Sequence, residues 1–180
     1  YAGWELILIG ALCVLFAFLY TTGPYPLSYK GLGDVAVFIF FGLVAVNLTY
    51  YVQALHFCIE VFWGSVAIGL LSVNILMVNN YRDVEADRLS GKKTVVVRFG
   101  HTFARYAYLF NGVVALLCTV DIWFSYNFWS IGAAILFFCV HIITWRQMCI
   151  LKGTALNPVL GKTARNLLIF TIFLSIFLIL

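Results

Sequence analysis

Charge is what this chain has least of. Lys and Arg number 11 and Asp and Glu 7 in 180 residues, 10% of the chain, where a soluble domain carries about a quarter. So little polar surface excludes a water-soluble globular domain of this length. It also removes the nucleic-acid reading that a net charge of +4 would invite, because in such a chain the placement of the positives matters more than their sum. Cysteine shows no pattern: Cys13, Cys58, Cys118, Cys139 and Cys149 are scattered and odd in number, which excludes a disulfide framework and a zinc spacing. No internal repeat or low-complexity segment is evident, and no polar stretch is long enough for a soluble domain between the apolar runs. The chain opens on Tyr1 rather than Met and shows no cleavable signal pattern, so it is expected to be a piece of something longer.

What fills the chain is apolar: 64% of its residues are hydrophobic, in runs approaching the ~20 residues that cross a bilayer. The fold class expected is an all-α integral membrane protein, one transmembrane domain over residues 1–180. Six spans can be drawn: Trp4–Tyr20, Val35–Val52, Val61–Val78, Arg105–Phe124, Phe128–Thr144 and Thr163–Leu180. The first loop, T-T-G-P-Y-P-L-S-Y-K-G-L-G-D, is broken by prolines and glycines. With six spans, all eleven Lys and Arg residues fall in one set of alternate loops, which the positive-inside rule makes cytoplasmic. The Gly23–Asp34 and Asn79–His101 loops then share that side and are expected to cap one cavity.

The exception to the scarcity of charge is Asn79 to Thr94, N-N-Y-R-D-V-E-A-D-R-L-S-G-K-K-T, which holds three of the seven acids and four of the eleven bases. If the third span continues as a helix through Asp87, then Asn79, Asp83 and Asp87 recur at every fourth position and make one polar stripe, with Asn80 beside it. Two carboxylates with amide oxygens one turn back suit a hard cation such as Mg²⁺, which commonly takes one or two carboxylates plus substrate phosphates. Glu85 lies off that stripe and is expected to pair with Arg82 or Arg88. The bases have a role beside a diphosphate, Arg as a bidentate fork and Lys as a point charge. The competing reading is a topology anchor, a charged loop that only fixes orientation. A calcium loop is excluded, because an EF-hand wants Gly after D-x-E-x-D and Arg88 stands there.

The block N-N-Y-R-D-V-E-A-D-R-L-S-G-K-K-T-V-V-V-R-F-G resembles the second aspartate-rich motif of the UbiA-type polyprenyltransferase superfamily, and within it the 1,4-dihydroxy-2-naphthoate polyprenyltransferases of menaquinone synthesis. G-P-Y-P-L-S-Y-K-G-L-G-D, V-F-I-F-F-G-L-V-A-V-N-L-T-Y-Y-V-Q and L-N-P-V-L-G-K-T-A-R are similar to that branch as well. The resemblance implies a nine-helix bundle around a central cavity, of which this chain would supply the fourth to ninth helices. It implies a bacterial inner-membrane enzyme with cytoplasmic active-site loops. The chemistry that the resemblance implies is Mg²⁺-dependent transfer of a polyprenyl group from its diphosphate to 1,4-dihydroxy-2-naphthoate, with loss of CO₂ and diphosphate, giving demethylmenaquinol. Carried over by motif, Asp83 and Asp87 are catalytic metal ligands with Asn79 and Asn80 beside them. Arg88 and Lys93 are the leading diphosphate partners, with Arg82 and Lys92 behind them.

The first loop departs from the family's Y-P-x-x-K by one residue, Tyr29, so either Tyr25 or Lys30 reaches the cavity; the competing reading of Lys30 is a snorkelling interface lysine. The family's first motif, N-D-x-x-D-x-x-x-D, is absent from these 180 residues, which implies half a metal site. Two rivals stand beside the enzyme: a non-catalytic fragment or paralogue that holds a prenyl lipid, and a small transporter. The transporter predicts ionisable groups deep in the helices, and few are found.

Overall fold

The computed structural model describes residues 3–21, 26–125 and 128–179. They form α1 (Glu5–Thr21), α2 (Leu27–Lys30), α3 (Gly33–Ala54), α4 (Ile59–Arg82), α5 (Val84–Leu89), α6 (Val95–Cys118), α7 (Val120–Ser125), α8 (Phe128–Ile150) and, after a 3₁₀ turn at Gly153–Leu156, α9 (Asn157–Ile179). No strand occurs among the described residues. An all-helical chain suits a bilayer, because a helix satisfies its backbone donors and acceptors internally.

Among the described residues, four helices are long and apolar enough to cross a membrane: Gly33–Ala54, Ile59–Arg82, Phe128–Ile150 and Gly153–Leu178. The other two expected spans differ in form. α1 is apolar but shorter. The stretch expected as Arg105–Phe124 is divided, because α6 starts at Val95, turns at Gly100 with φ 81°, and ends at Cys118. There Thr119 bends the chain: its hydroxyl donates to the Ala115 carbonyl at 2.8 Å and accepts from Trp123 Nε1 at 2.8 Å.

α4 is the axis of the bundle, with α3, α6 and α9 packed on it. One apolar cluster surrounds its C-terminal half (Met77, Val78, Tyr81, Tyr108, Met148) and another its N-terminal half (Ala67, Leu71, Phe137, Phe170, Leu174). Lipid tails are as apolar as these side chains, so close packing and interhelical hydrogen bonds hold such a bundle together. Both are present. Gly42 of α3, within a π-helical stretch at Phe38–Val44, lies so close to α4 that a Cβ there would stand 2.8 Å from the Ser65 carbonyl oxygen and 2.9 Å from the Gly69 nitrogen. Buried polar side chains bolt the helices together. Asn74 Nδ2 donates to the Tyr108 carbonyl at 3.1 Å, Asn111 Nδ2 to Asn74 Oδ1 at 2.9 Å, and Asn166 Nδ2 to Thr144 Oγ1 at 2.9 Å. His141 lies parallel to the Tyr108 ring, centroids 4.8 Å apart.

Candidate active site at the end of the central helix

α4 carries the polar block to one end of the bundle and stops there. Its helix does not continue through Asp87, as the fourfold spacing suggested: Asp83 has φ −98° and ψ 11° and separates α4 from α5. Arg82 accounts for the break. Arg82 turns on its neighbour, donating from Nε to Asp83 Oδ1 at 2.7 Å and from Nη2 to Asp83 Oδ2 at 2.6 Å. The same guanidinium reaches Asn79 Oδ1 and Asn157 Oδ1, each at 2.8 Å. Arg82, one of the lesser candidates from sequence, is therefore the organiser of the motif. It ties the end of α4 to the start of α9, where the L-N-P segment lies.

Beyond the break, α5 ends in a tight reversal. Ser90 N donates to the Ala86 carbonyl at 3.0 Å and Lys92 N to the Asp87 carbonyl at 2.9 Å, with Gly91 at φ 75°, the conformation that favours glycine after a helix. The turn brings Lys92 Nζ to 3.1 Å from Asp87 Oδ1, and Asp87 is buried. Thr94 then caps α6, accepting from Val97 N at 3.3 Å. Glu85 and Arg88 leave the block on its far side, paired at 3.1 Å and exposed, as the spacing of Glu85 anticipated.

The first loop closes onto this hairpin. Lys93 N donates to the Tyr29 carbonyl at 2.9 Å, and Arg98 Nη2 to the Lys30 carbonyl at 2.6 Å. Lys92 stands 5.6 Å from the centre of the Tyr29 ring, within cation–π range. Gly31, at φ 79°, lies against the Lys93 carbonyl oxygen so closely that no Cβ fits between them. The two loops expected to cap one cavity do so. It measures about 360 Å³ and is lined by Tyr20, Ser28, Tyr29, Gly31, Gly33, Asp34, Leu76, Asn79, Asn80, Lys92 and Thr94. Beside it an apolar groove of about 720 Å³ runs between α1 and α3, lined by Phe16, Val37, Phe40, Phe41 and Leu48 among others, and Tyr20 borders both spaces.

Of the residues expected at the site, Asn79, Asn80 and Lys92 line the cavity directly. Asp83 and Asp87 are not among the lining residues, and each is held by a base. Lys30 and Lys93 are exposed and join the cap through their backbones. Tyr25 lies outside the described residues. Sequence reasoning missed Tyr20, Tyr29, Thr94, Asn157 and Asp34. Asp34 was read as the end of a loop, whereas it sits in the first turn of α3. Electrostatics follow the pairing. The Arg82 hydrogen bonds hold the Asp83 carboxyl below its ordinary range against the opposing effect of burial, and the bond to Asp87 raises the Lys92 ammonium.

Comparison with known proteins shows the family to which the chain belongs. The model of the UbiA prenyltransferase family matches residues 1–158. The chain belongs to the UbiA prenyltransferase family. Among curated relatives it is similar to the 1,4-dihydroxy-2-naphthoate octaprenyltransferase of Escherichia coli strain K12, 33% identical over 91% of this chain and 54% of that protein. It is also similar to the proteins of the same name from Haemophilus influenzae, 33% identical over 93% of this chain and 55% of that one, and from Mycobacterium leprae, 41% identical over 73% and 44%. The chain thus spans about half the length of the curated relatives it matches. No solved structure matches.

Whether this UbiA-family site suits a divalent cation depends on its donors. Asn79, Asn80, Asp83 and Asp87 offer hard oxygen, the kind Mg²⁺ takes, yet the described residues hold no group of three or more His, Cys, Asp or Glu that could close around an ion. Both carboxylates already have a cationic partner. The set suits a magnesium ion in the chemistry of its donors, though not in their number.

Proposed function

We propose that this chain carries part of the reaction centre of a Mg²⁺-dependent polyprenyltransferase, with 1,4-dihydroxy-2-naphthoate as acceptor and demethylmenaquinol as product. The observation that carries this reading is the shared cavity, where Asn79, Asn80 and Lys92 meet the first loop at the mouth of an apolar groove, in a chain of this family. Diphosphate binds at the polar end, and the long isoprenoid lies toward the groove.

Asp83 and Asp87, with Asn79 and Asn80, are the residues that would hold Mg²⁺, and Arg82 and Lys92 would exchange their carboxylate partners for phosphate oxygens as the substrate enters. A bound magnesium ion supplies electrostatic stabilisation to the departing diphosphate. Lys92 adds a point charge on the same side, while the two-loop cap excludes water. The allylic C–O bond breaks with its electron pair leaving on the diphosphate, a C–C bond forms on the electron-rich naphthoate ring, and the ring carboxylate departs as CO₂. The Tyr29 and Tyr20 rings face the cavity in which allylic positive charge develops, a favourable arrangement for aromatic faces. In this reading the chain threads the bacterial inner membrane six times, and the eleven Lys and Arg residues stand on the cytoplasmic side with the cavity.

A second reading, prenyl-lipid binding without turnover, is favoured by one observation: Asp83 and Asp87 are both neutralised by bases of the same chain. The two are separated by assaying membranes that contain the chain, and the chain extended to the length of its relatives, with 1,4-dihydroxy-2-naphthoate, a polyprenyl diphosphate and Mg²⁺. Metal-dependent product that disappears in Asp87→Asn supports transfer. Binding of the diphosphate with no product from either form supports the second reading and overturns the first.

A further inference from the structure

We infer that Asp34 is the residue that recognises a ring hydroxyl of the aromatic acceptor, an assignment that rests on the prenyl-transfer reading above. Asp34 follows Gly33, a buried position where a Cβ would stand 3.3 Å from Tyr20 Oη and 3.4 Å from Leu76. That close approach presses the start of α3 between Tyr20 and Leu76 and sets Asp34 in the wall of the polar cavity. Its Oδ1 is buried and, among the described residues, is the one such side-chain atom that accepts no hydrogen bond. A buried carboxylate oxygen left without a donor costs its full desolvation, so native structures rarely keep one without a purpose.

The nearby bases are engaged elsewhere, Arg82 on Asp83, Asn79 and Asn157, Lys92 on Asp87, and Arg98 on the Lys30 carbonyl, and none of the cavity's own hydroxyl and amide donors bonds to Oδ1. A bound ligand that brings a donor satisfies it. A diphosphate offers Oδ1 no donor proton and meets it with like charge. The walls select the rest. Tyr20, Tyr29 and Leu76 offer flat and apolar faces beside the carboxylate. A flat aromatic ring that carries an O–H satisfies both: its faces pack on the walls and its hydroxyl donates to Oδ1. Hydroxyl recognition of this kind also decides specificity, because an analogue without the donor leaves the carboxylate buried and unpaired.

The test uses the chain in lipid nanodiscs with two stable probes, 1-naphthol and 1-methoxynaphthalene, which differ in the donor proton. The wild-type chain is expected to prefer 1-naphthol by about tenfold or more, the range of a hydrogen bond to a charged group. Asp34→Leu abolishes that preference and leaves the methoxy probe bound within about twofold; Asp34→Asn, which keeps the shape and a neutral acceptor, reduces the preference to a few-fold. Wild-type preference in either variant overturns the assignment, and the Asn variant carries the test if the Leu variant fails to fold. Absence of any preference in the wild-type chain overturns it whatever the transfer assay gives. An Asp34-dependent preference in a chain that, at full length, makes no prenylated product keeps the hydroxyl site and sinks the transferase reading alone.

Discussion

Gly31→Ala is the substitution that most sharply separates a closed cap from two independent loops. Two costs arise at that residue. At φ 79° an L side chain meets its own carbonyl, which costs about 1–2 kcal/mol. The new Cβ also collides with the Lys93 carbonyl oxygen and comes within 3.2 Å of Arg98 Cζ. Backbone cannot rotate away as a side-chain tip can, so this adds an overpacking cost of about 1–3 kcal/mol. Gly153→Ala is the control: φ is 55° and nothing lies within 4 Å of the added Cβ, so it carries backbone strain without collision. The difference between the variants, about 1–3 kcal/mol, shifts the closed-to-open ratio of the cap by roughly 5- to 150-fold. Trypsin cleavage after Lys92 and Lys93 in nanodiscs reads that ratio, because proteolysis tracks the open population when closing outpaces cleavage. Gly31→Ala should be cut at least about fivefold faster there than Gly153→Ala. Equal rates would show that the first loop does not rest on the hairpin, and the cavity argument would fall with it.

Three other outcomes follow from the same geometry. Gly42→Ala should lower the thermal midpoint by several degrees, at about 2–4 °C per kcal/mol, because its Cβ meets the Ser65 carbonyl and Gly69 backbone, whereas Gly132→Ala meets nothing within 4 Å and should be neutral or stabilising; equal midpoints would contradict the α3–α4 contact. In a complete enzyme Glu85→Gln should leave turnover within a few-fold of wild type, since Glu85 faces solvent with Arg88, while Asp83→Ala should abolish Mg²⁺-dependent turnover; equal losses would mean the exposed pair belongs to the site. A topology reporter fused after Leu180 should read extracytoplasmic in intact cells, and a cytoplasmic signal would overturn the six-span arrangement.

The charged block stood out in sequence because so little else is charged, and its placement at the end of an apolar helix was enough to expect a cavity capped by two loops. The off-stripe position of Glu85 was also legible, since three-residue spacing to Arg88 is a local property of one short helix. The break at Asp83 was not. Fourfold spacing persists across it, and the turn comes from Arg82 reaching sideways to Asp83, Asn79 and Asn157, a contact 75 residues long in sequence. Asp34 escaped for a related reason: it lines a cavity with Tyr20 and Leu76, which no local pattern joins to it. The drawn span Arg105–Phe124 is bent at Thr119, which was not legible because hydropathy does not register a hydroxyl that bonds its own helix and a tryptophan one turn on.

The most direct test of the central claim is binding of a non-hydrolysable prenyl thiodiphosphate to the chain in nanodiscs, titrated with and without Mg²⁺. The account predicts binding that strengthens with Mg²⁺, weakens at least about tenfold in Asp83→Ala and in Lys92→Met, as loss of charge-assisted contacts implies, and is unchanged in Arg88→Ala. Affinity that ignores Mg²⁺, or that survives both Asp83→Ala and Lys92→Met, would contradict it and leave the hairpin as a topology anchor.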